Sequence, residues 1–307
     1  MVKKSIKLDK LDFKILKHLI ENCRESDRAI GSKIGLTGPA VKRRIEKMKQ
    51  SGTISEYTLN IEPSILGYFK IYVTIKGKKT KEIQKQVSLI GEPFLIIPCI
   101  GNVTIYGIVA REDISEKIET LQKMLTDSQI ITVYKTENPE SNFSLTKTDL
   151  EILSVLLEDP QVKIEKISEQ ANLSTKTIAR ALEKFHANFE IQFTCICNPK
   201  KMDGRLPYSV AIKIDCNQNK TIKKLEKEFS EYFLNTPFVS KNQIVLFMYN
   251  ENIFEIDEIV NKIQEIDNIE DVDLFMPKQF VLPLKWAHKG IEQFRQSPKL
   301  HLELQAN

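Results

Sequence analysis

The segment PAVKRRIEKMKQ, from Pro39 to Gln50, holds the side chains best suited to binding a polyanion. Its basic residues are Lys42, Arg43, Arg44, Lys47 and Lys49. Lysine and arginine neutralise phosphate, and arginine also donates two parallel hydrogen bonds to a guanine edge. Apolar side chains recur at helical spacing between the cations, which predicts a helix with one buried and one basic face. The buried face is predicted to consist of Val41, Ile45 and Met48.

Two further helices and a tight turn must position this basic helix. Apolar spacing predicts a first helix from Asp9 to Asn22 and a short second helix from Asp27 to Ile34. In the following GLTGP, Gly35 can end a helix with a left-handed backbone, Thr37 can cap the next helix, and Pro39 fits its first turn. The residues SGTISEYTLNIEP then predict a glycine turn and a strand, which is typical of the wing in a winged helix.

Two helices joined by a tight turn, with cations on the second, form the arrangement that enters the major groove of DNA. A run of charge is most often only a solvated face, but here the capped turn, the short helix and the strand all agree. The predicted DNA-binding residues are Thr37, Gly38, Pro39, Lys42, Arg43, Arg44, Lys47 and Lys49. The helix start is expected to approach phosphate, and the cations to reach base edges or flanking phosphates. For Arg44, an ion pair with a neighbouring acid is an open alternative.

The same helix opening occurs twice in the chain, as LDKLDFKIL at residues 8–16 and LTKTDLEIL at residues 145–153. Without a gap, 12 of the 41 paired positions between residues 8–48 and 145–185 are identical. The second copy keeps the apolar residues Ile178, Leu182 and Phe185 but loses several groups that suit DNA. Pro39, Lys42, Arg44 and Gly52 are replaced by Lys176, Ala179, Ala181 and Phe189. We therefore interpret the second copy as a packed domain with weakened binding to phosphate. Because it keeps Lys176 and Arg180, weak contact with DNA is an open alternative.

The distribution of charge separates the two copies further. Residues 1–60 contain 14 Lys and Arg against 7 Asp and Glu, whereas residues 145–197 contain 6 against 8. The net charge of +4 for the whole chain conceals this difference. If the partner is a polyanion, only the first copy is suited to meet it.

After each helical segment, the pattern predicts a β-α-β-β-α-β module of the ferredoxin-like type. In the first module, the two middle strands are expected to meet at Gly101 and Asn102, residues that accept a positive φ. The fold class is therefore α+β, with two tandem units and a C-terminal tail. The predicted domains are a winged helix-turn-helix at residues 1–62, a ferredoxin-like module at 66–138, a degenerate winged helix at 145–198, a second module at 205–276 and the tail at 277–307.

The segment LTGPAVKRRIEKMKQSGTI resembles the recognition helix of the Lrp/AsnC family of transcription regulators, with Met48 where leucine is usual. The resemblance covers nearly the whole chain in two passes. It implies that the ferredoxin-like modules, of the RAM type, serve oligomerisation and small-molecule sensing. Ile100, Gly101 and Asn102 match the place where relatives bind an amino-acid-like effector. Asn102 and Val103 stand where the family commonly has an aromatic residue and Asp, so the identity of the effector stays open.

The duplication suggests that one chain carries both halves of a contact that relatives make between two chains. One competent DNA reader per chain, with a palindromic operator, then requires at least a homodimer on double-stranded DNA. Two other functions remain open: an enzyme like the siroheme decarboxylases, which resemble the same fold, and a protein-interaction scaffold. The four histidines, His18, His186, His288 and His301, do not cluster in the sequence, so catalysis is not expected.

Other features of the sequence predict no cofactor and no metal. Cys195 and Cys197 form a C-x-C in a strand-like segment, where small apolar residues are a better interpretation than metal ligands. The N-terminus lacks the apolar core of a signal peptide and the apolar runs are too short for a membrane span, so we expect a cytoplasmic protein without membrane association. In the tail, Trp286, Ile291 and Phe294 are spaced for one stripe of a short helix that packs back on the modules or on a partner.

Overall fold

The structure, a computed structural model, describes residues 6–112, 115–135, 143–188, 190–215, 218–240 and 242–296. Helices are α1 (Lys10–Glu21), α2 (Asp27–Ile34), α3 (Gly38–Ser51), α4 (Thr80–Ile90), α5 (Ser115–Met124), α6 (Lys147–Glu158), α7 (Ile164–Ala171), α8 (Thr175–His186), α9 (Gln218–Phe229), α10 (Ile253–Gln264) and α11 (Lys285–Gln296). Strands are β1 (Ile6–Lys7), β2 (Ile54–Ile61), β3 (Phe69–Gly77), β4 (Glu92–Pro98), β5 (Val103–Ala110), β6 (Ser128–Lys135), β7 (Ile191–Cys197), β8 (Met202–Asp203), β9 (Leu206–Ile214), β10 (Phe238–Ser240), β11 (Gln243–Asn250) and β12 (Ile269–Phe275). Among the described residues, no helix is both long and apolar enough to cross a membrane.

The chain divides into two compact units, and each unit combines segments from both copies of the repeat. The first unit contains Met1–Glu56, Pro98–Ile100 and Cys195–Phe280, and the second contains Tyr57–Ile97, Gly101–Thr194 and Val281–Asn307. The first helix-turn-helix, α1 to α3, therefore lies in one unit with the second ferredoxin-like module. The second helix-turn-helix, α6 to α8, lies in one unit with the first module and α11.

In the first unit, the module consists of an antiparallel sheet in the order β10-β11-β9-β12 with α9 and α10 as its helices. The order matches the predicted β-α-β-β-α-β pattern. Its core joins alternate residues of β9 with the apolar faces of both helices: Tyr208, Val210, Ile212, Leu225, Phe229, Ile256, Ile259 and Ile263. Burying each of the Val, Leu, Ile and Phe side chains among them contributes about 1.5 to 3 kcal/mol relative to exposure, which holds the helices on the sheet.

In the second unit, the equivalent sheet has the order β4-β5-β3-β6, with antiparallel pairing of β3 to both β5 and β6. Its core has the same construction and includes Ile71, Val73, Ile75, Ile83, Val87, Tyr106, Ile108 and Leu121. The two sheets show that the offset repeat extends beyond the helix-turn-helix segments. The prediction of two ferredoxin-like modules is therefore confirmed.

The strand predicted as the wing is present as β2, and it pairs with β7, the equivalent strand of the second copy. At one end of the pair, within the first unit, the Asn198 amide donates to the Thr53 carbonyl over 2.8 Å. At the other end, within the second unit, the Glu62 amide donates to the Glu190 carbonyl over 2.7 Å. An unpaired strand would expose its amides and carbonyls, and here the other copy satisfies them.

The C-terminal stripe of apolar residues forms the buried face of α11, as the sequence predicts. Trp286, Ile291 and Phe294 are 2%, 2% and 7% exposed. Within the second unit, the Trp286 ring makes edge contacts with the rings of Tyr68 and Phe94, at centroid distances of 5.6 and 6.3 Å. The tail therefore packs on the first module, while His301 and the rest of residues 297–307 lie outside the described residues.

The turn between α2 and α3 depends on a close approach at Gly31. A Cβ atom at this position would lie 2.4 Å from the Leu36 carbonyl oxygen, whereas a Cβ at Gly38 would meet only the Arg28 backbone at 3.5 Å. We expect Gly31→Ala to lower the free energy of unfolding by about 1 to 3 kcal/mol through overpacking. Gly38→Ala should be neutral or slightly stabilising, and chemical denaturation of both variants measures the difference. Equal stability of the two variants would contradict this account of the turn.

Candidate nucleic-acid interface

The basic helix α3, Gly38–Ser51, extends one residue beyond the predicted segment at each end, and its N-cap is the predicted one. Thr37 is the N-cap, and its hydroxyl accepts a hydrogen bond from the Ala40 amide over 3.4 Å. Gly35 and Gly52, which end α2 and α3, adopt left-handed φ values of 75° and 81°. Gly38 and Pro39 form the first turn of α3, so the end of the helix that carries unpaired amides is open to a phosphate.

The two faces of α3 separate as predicted. Val41, Ile45 and Met48 are 0%, 8% and 0% exposed and anchor the helix in the first unit. The exposed cations are Lys42, Arg43, Lys47 and Lys49. Within the described part of the chain, Lys42, Arg43 and Lys47 form no ion pair, so an incoming phosphate would not have to displace an internal partner.

Arg44 turns to the protein. Its Nη1 atom lies 2.7 Å from a carboxylate oxygen of Asp9 and 2.7 Å from one of Asp12. Asp9 is the N-cap of α1, and Asp12, which is buried, completes the capping box. Burial opposes ionisation of Asp9, but the Asp12 amide and the Arg44 guanidinium hold the pKa of its carboxyl below the ordinary value. Of the two roles that the sequence left open for Arg44, the structure shows the ion pair.

The second copy uses a different cation at the same place. Asp149, which is equivalent to Asp12, completes the capping box of α6 with Thr146. Its carboxylate lies 2.6 Å from the Nζ atom of Lys184, and the same amine donates to the Ser144 carbonyl over 2.6 Å. Ala181 occupies the position of Arg44. On the exposed face of α8, Lys176 and Arg180 are the basic residues.

The predicted effector residues form an exposed turn. The φ values of Gly101 and Asn102 are 80° and 60°, so the prediction of positive φ at both residues is confirmed. Ile100 is 62% exposed, and within the first unit its amide donates to the Met276 carbonyl over 2.9 Å. A Cβ atom at Gly101 would meet nothing within 4 Å, which leaves the turn accessible.

The cysteines of β7 are buried. Cys195 and Cys197 are 5% and 8% exposed. A hydrogen bond with Cys197, together with burial, raises the pKa of the Cys195 thiol well above its ordinary value. Within the described residues, no group of three or more His, Cys, Asp or Glu side chains could hold a metal ion.

No local sequence pattern predicts the contacts that hold α1 on its module in the first unit. The ring of Phe13 stacks on Tyr249 at a centroid distance of 4.5 Å, and the Arg205 guanidinium lies 5.4 Å from the centre of the Phe13 ring. Arg205 also forms an ion pair with Glu251 over 2.5 Å, and Lys17 donates to the Ser230 carbonyl over 3.4 Å. Phe13 and Lys17 of α1 lie about 190 to 240 residues from their partners on the module, beyond the reach of any local pattern.

Comparison with known domain families agrees with two helix-turn-helix domains. Residues 8–49 match the AsnC-type helix-turn-helix domain, and residues 145–188 match a winged helix-turn-helix DNA-binding domain. The two matches cover α1 to α3 and α6 to α8. The internal repeat is therefore recognised independently in both of its copies.

Characterised and uncharacterised regulators resemble this chain over one repeat unit. The regulator Ptr1 of Methanocaldococcus jannaschii is 28% identical over 123 residues, which are 39% of this chain and 80% of Ptr1. The regulator PH0061 of Pyrococcus horikoshii is 28% identical over 121 residues, or 39% of this chain and 82% of that protein. The leucine-responsive regulatory protein of Rhizobium meliloti is 23% identical over 144 residues, which cover 41% of this chain and 92% of that protein.

A siroheme decarboxylase of known structure resembles the chain over nearly its whole length. The siroheme decarboxylase NirDL superposes with a TM-score of 0.53 over 96% of this chain and 98% of its own. The sequence identity is 12%, so the resemblance concerns the fold. A tandem arrangement of this kind is thus known in a second protein.

The carboxylates around Arg44 predict a pH-dependent loss of stability in the variant Arg44→Ala. Removing the guanidinium leaves the buried Asp12 without its cation and should lower the free energy of unfolding by about 1 to 3 kcal/mol at neutral pH. Because the pKa of Asp9 is lowered in the folded state, its contribution is present above the ordinary pKa of 3.8 and is lost as the pH falls through the lowered value.

Urea denaturation of the wild type and Arg44→Ala between pH 3 and pH 7 measures this difference, which should narrow below about pH 4. Arg43→Ala is the matched control, since Arg43 is exposed on the same helix and its loss should change stability by no more than about 0.5 kcal/mol. A penalty for Arg43→Ala equal to that for Arg44→Ala would show that the ion pair has no special role.

Proposed function

Because the chain belongs to the Lrp/AsnC family of transcription regulators, in a tandem form, we propose that its first helix-turn-helix domain reads the operator. The observation that carries this proposal is the exposed cationic face of α3 on a helix whose apolar face is fixed in the first unit. Ptr1 and the leucine-responsive regulatory protein are named as regulators, and their resemblance supports the same role here.

Each part of α3 has a distinct proposed role in the complex with DNA. The start of the helix, at Thr37, Gly38 and Pro39, approaches a phosphate, since the first-turn amides and the helix dipole favour an anion. Lys42, Arg43 and Lys47 enter the major groove or meet its flanking phosphates, and Lys49 contacts the phosphate backbone. Base contacts would provide specificity, and phosphate contacts would provide most of the affinity.

A homodimer is the smallest assembly that supplies two such readers. Operators of helix-turn-helix proteins mirror the two-fold symmetry of the protein, and their half-sites lie about one helical turn apart. The second helix-turn-helix has an unfavourable charge balance and replaces two cations of α3 by alanine. We therefore propose that two chains, each with one competent reader, bind one palindromic operator in the cytoplasm.

The turn at Ile100, Gly101 and Asn102 is the proposed contact for a small-molecule effector. The turn is left-handed at Gly101 and Asn102 and has open space beside Gly101, which suits the recognition of a small polar group. An effector would shift the oligomer toward one DNA-binding state only if it binds that state more tightly than the others. The size of the shift would equal the difference in binding free energy between the states.

Catalysis is the alternative that the fold of NirDL raises, and the histidines argue against it. The described histidines lie on α1, α8 and α11 and have separate contacts. His18 lies 3.1 Å from Glu25, the ring of His186 packs on Phe193 at 4.7 Å, and His288 lies 3.8 Å from Glu158. We propose a regulator without enzymatic activity. A salt titration of DNA binding also separates a regulator from a protein-interaction scaffold, because only the regulator loses affinity steeply with salt.

A pair of equivalent arginines tests which copy reads DNA. Arg43 and Arg180 occupy the same position in the two recognition helices, and both side chains are exposed. Arg43→Ala should weaken binding to the operator by about 1 to 3 kcal/mol, because a base contact is lost, whereas Arg180→Ala should change it little. Gel shifts on operator fragments selected from the genome provide the measurement. An equal loss in both variants would assign DNA binding to both copies.

The oligomeric state of the full chain can be measured directly. One chain has a mass of 35.4 kDa, and we expect light scattering at micromolar concentration to give at least twice this value. Footprinting should show two protected half-sites about one helical turn apart. A 35.4 kDa species that protects a single half-site would contradict the proposed dimer.

A further inference from the structure

In the two helix-turn-helix domains, equivalent buried aspartates pair with basic residues at different positions of the recognition helix. In each domain, a buried aspartate near the start of the first helix faces the recognition helix. Asp12 pairs with Arg44 at 2.7 Å, and Asp149 pairs with Lys184 at 2.6 Å. By the repeat, the counterpart of Arg44 is Ala181, and the counterpart of Lys184 is Lys47.

Helical geometry explains why these two positions can exchange roles. Residues 44 and 47, like residues 181 and 184, are three apart in a helix, so their side chains leave neighbouring points of the same face. A long, flexible amine at the second position can reach the aspartate when the first position is alanine. Arginine at the first position makes this reach unnecessary. In α3, Lys47 is accordingly exposed and forms no ion pair within the described residues.

Resting on the proposed function, we propose that Arg44 is a positioning residue that frees Lys47 for DNA. By satisfying Asp9 and Asp12, Arg44 leaves the amine of Lys47 on the cationic face of α3. In α8, the absence of an arginine at position 181 commits Lys184 to Asp149, to the Ser144 carbonyl and to the ring of Phe143, whose centre lies 4.9 Å from the amine. The replacement of this arginine by alanine therefore withdraws one cation, Lys184, from the DNA face of the second copy.

The exchange of roles between the two helix positions can be tested by thermal stability alone, without DNA. In the wild type, Lys184→Ala should lower the Tm by about 2 to 8 °C, because Asp149 loses its cation. In the background Ala181→Arg, the same change should leave the Tm unaltered, since the new guanidinium takes over the pair. Lys176→Ala, on the exposed face of α8, is the control and should be neutral in both backgrounds.

In the first copy, the exchange of roles can be tested by the salt dependence of DNA binding. In the wild type, Lys47→Ala should reduce the slope of log K against log salt by about 0.9, which is the loss of one phosphate contact. In the background Arg44→Ala, Lys47 is drawn to Asp12, so Lys47→Ala should leave the slope nearly unchanged. Lys42→Ala is the matched control and should reduce the slope by about 0.9 in both backgrounds.

The outcomes separate this proposal from the proposed function. Equal effects of Lys47→Ala in both backgrounds, or a loss of Tm from Lys184→Ala that persists with Ala181→Arg, would overturn the exchange. Absence of DNA binding by the wild-type chain would overturn the proposed function, and the stability cycle in the second copy would still decide the exchange. That cycle also serves if Arg44→Ala fails to fold.

Discussion

A buried carboxylate at the start of each helix-turn-helix domain must have a cation, and this requirement connects packing to surface chemistry. Asp12 and Asp149 stabilise their own helices as members of capping boxes, so they cannot simply move into solvent. A buried charge without a partner costs several kcal/mol. The recognition helix must therefore give up one basic side chain in each copy. The residue that pairs with the aspartate is not available to a polyanion, so this choice decides which cations stay exposed.

The same constraint orients the recognition helix. Arg44 spans from α3 to the first turn of α1, and Val41, Ile45 and Met48 bury the adjoining face of α3 in the core. A charged contact at the edge of this buried face leaves little freedom for rotation about the helix axis. The exposed direction of Lys42 and Arg43 follows from these two contacts and needs no further support.

Much of this arrangement could be predicted from local sequence, because local physics determines it. The bounds of α2 follow from apolar spacing and from Gly35, the cap at Thr37 follows from residue type, and the turn at Gly101 and Asn102 follows from the tolerance of these residues for positive φ. Apolar alternation likewise predicts the strands of both modules.

Contacts between distant segments could not be predicted in this way. Pairing of β2 with β7, and packing of Phe13 on Tyr249, depend on which copy each helix-turn-helix domain joins, and a repeat makes the two choices equivalent in local pattern. The ion pair of Arg44 was an open alternative for a similar reason, since the choice between acid and phosphate depends on the three-dimensional position of Asp9 and Asp12. The use of Lys184 in the second copy had no local signal, because the identical residue Lys47 is exposed.

The two copies share their buried residues and differ on their surfaces, because substitutions at the two kinds of position have different costs in stability. Replacing an exposed cation usually changes stability by less than about 0.5 kcal/mol, so Lys42 and its counterpart Ala179 can differ without harm to the fold. Replacing Arg44 with its counterpart Ala181 is different, since it leaves a buried carboxylate unpaired. The second copy tolerates that change because Lys184 lies three residues away and can reach Asp149. The asymmetry between the copies is that Lys184 stabilises its own domain, whereas its counterpart Lys47 is exposed.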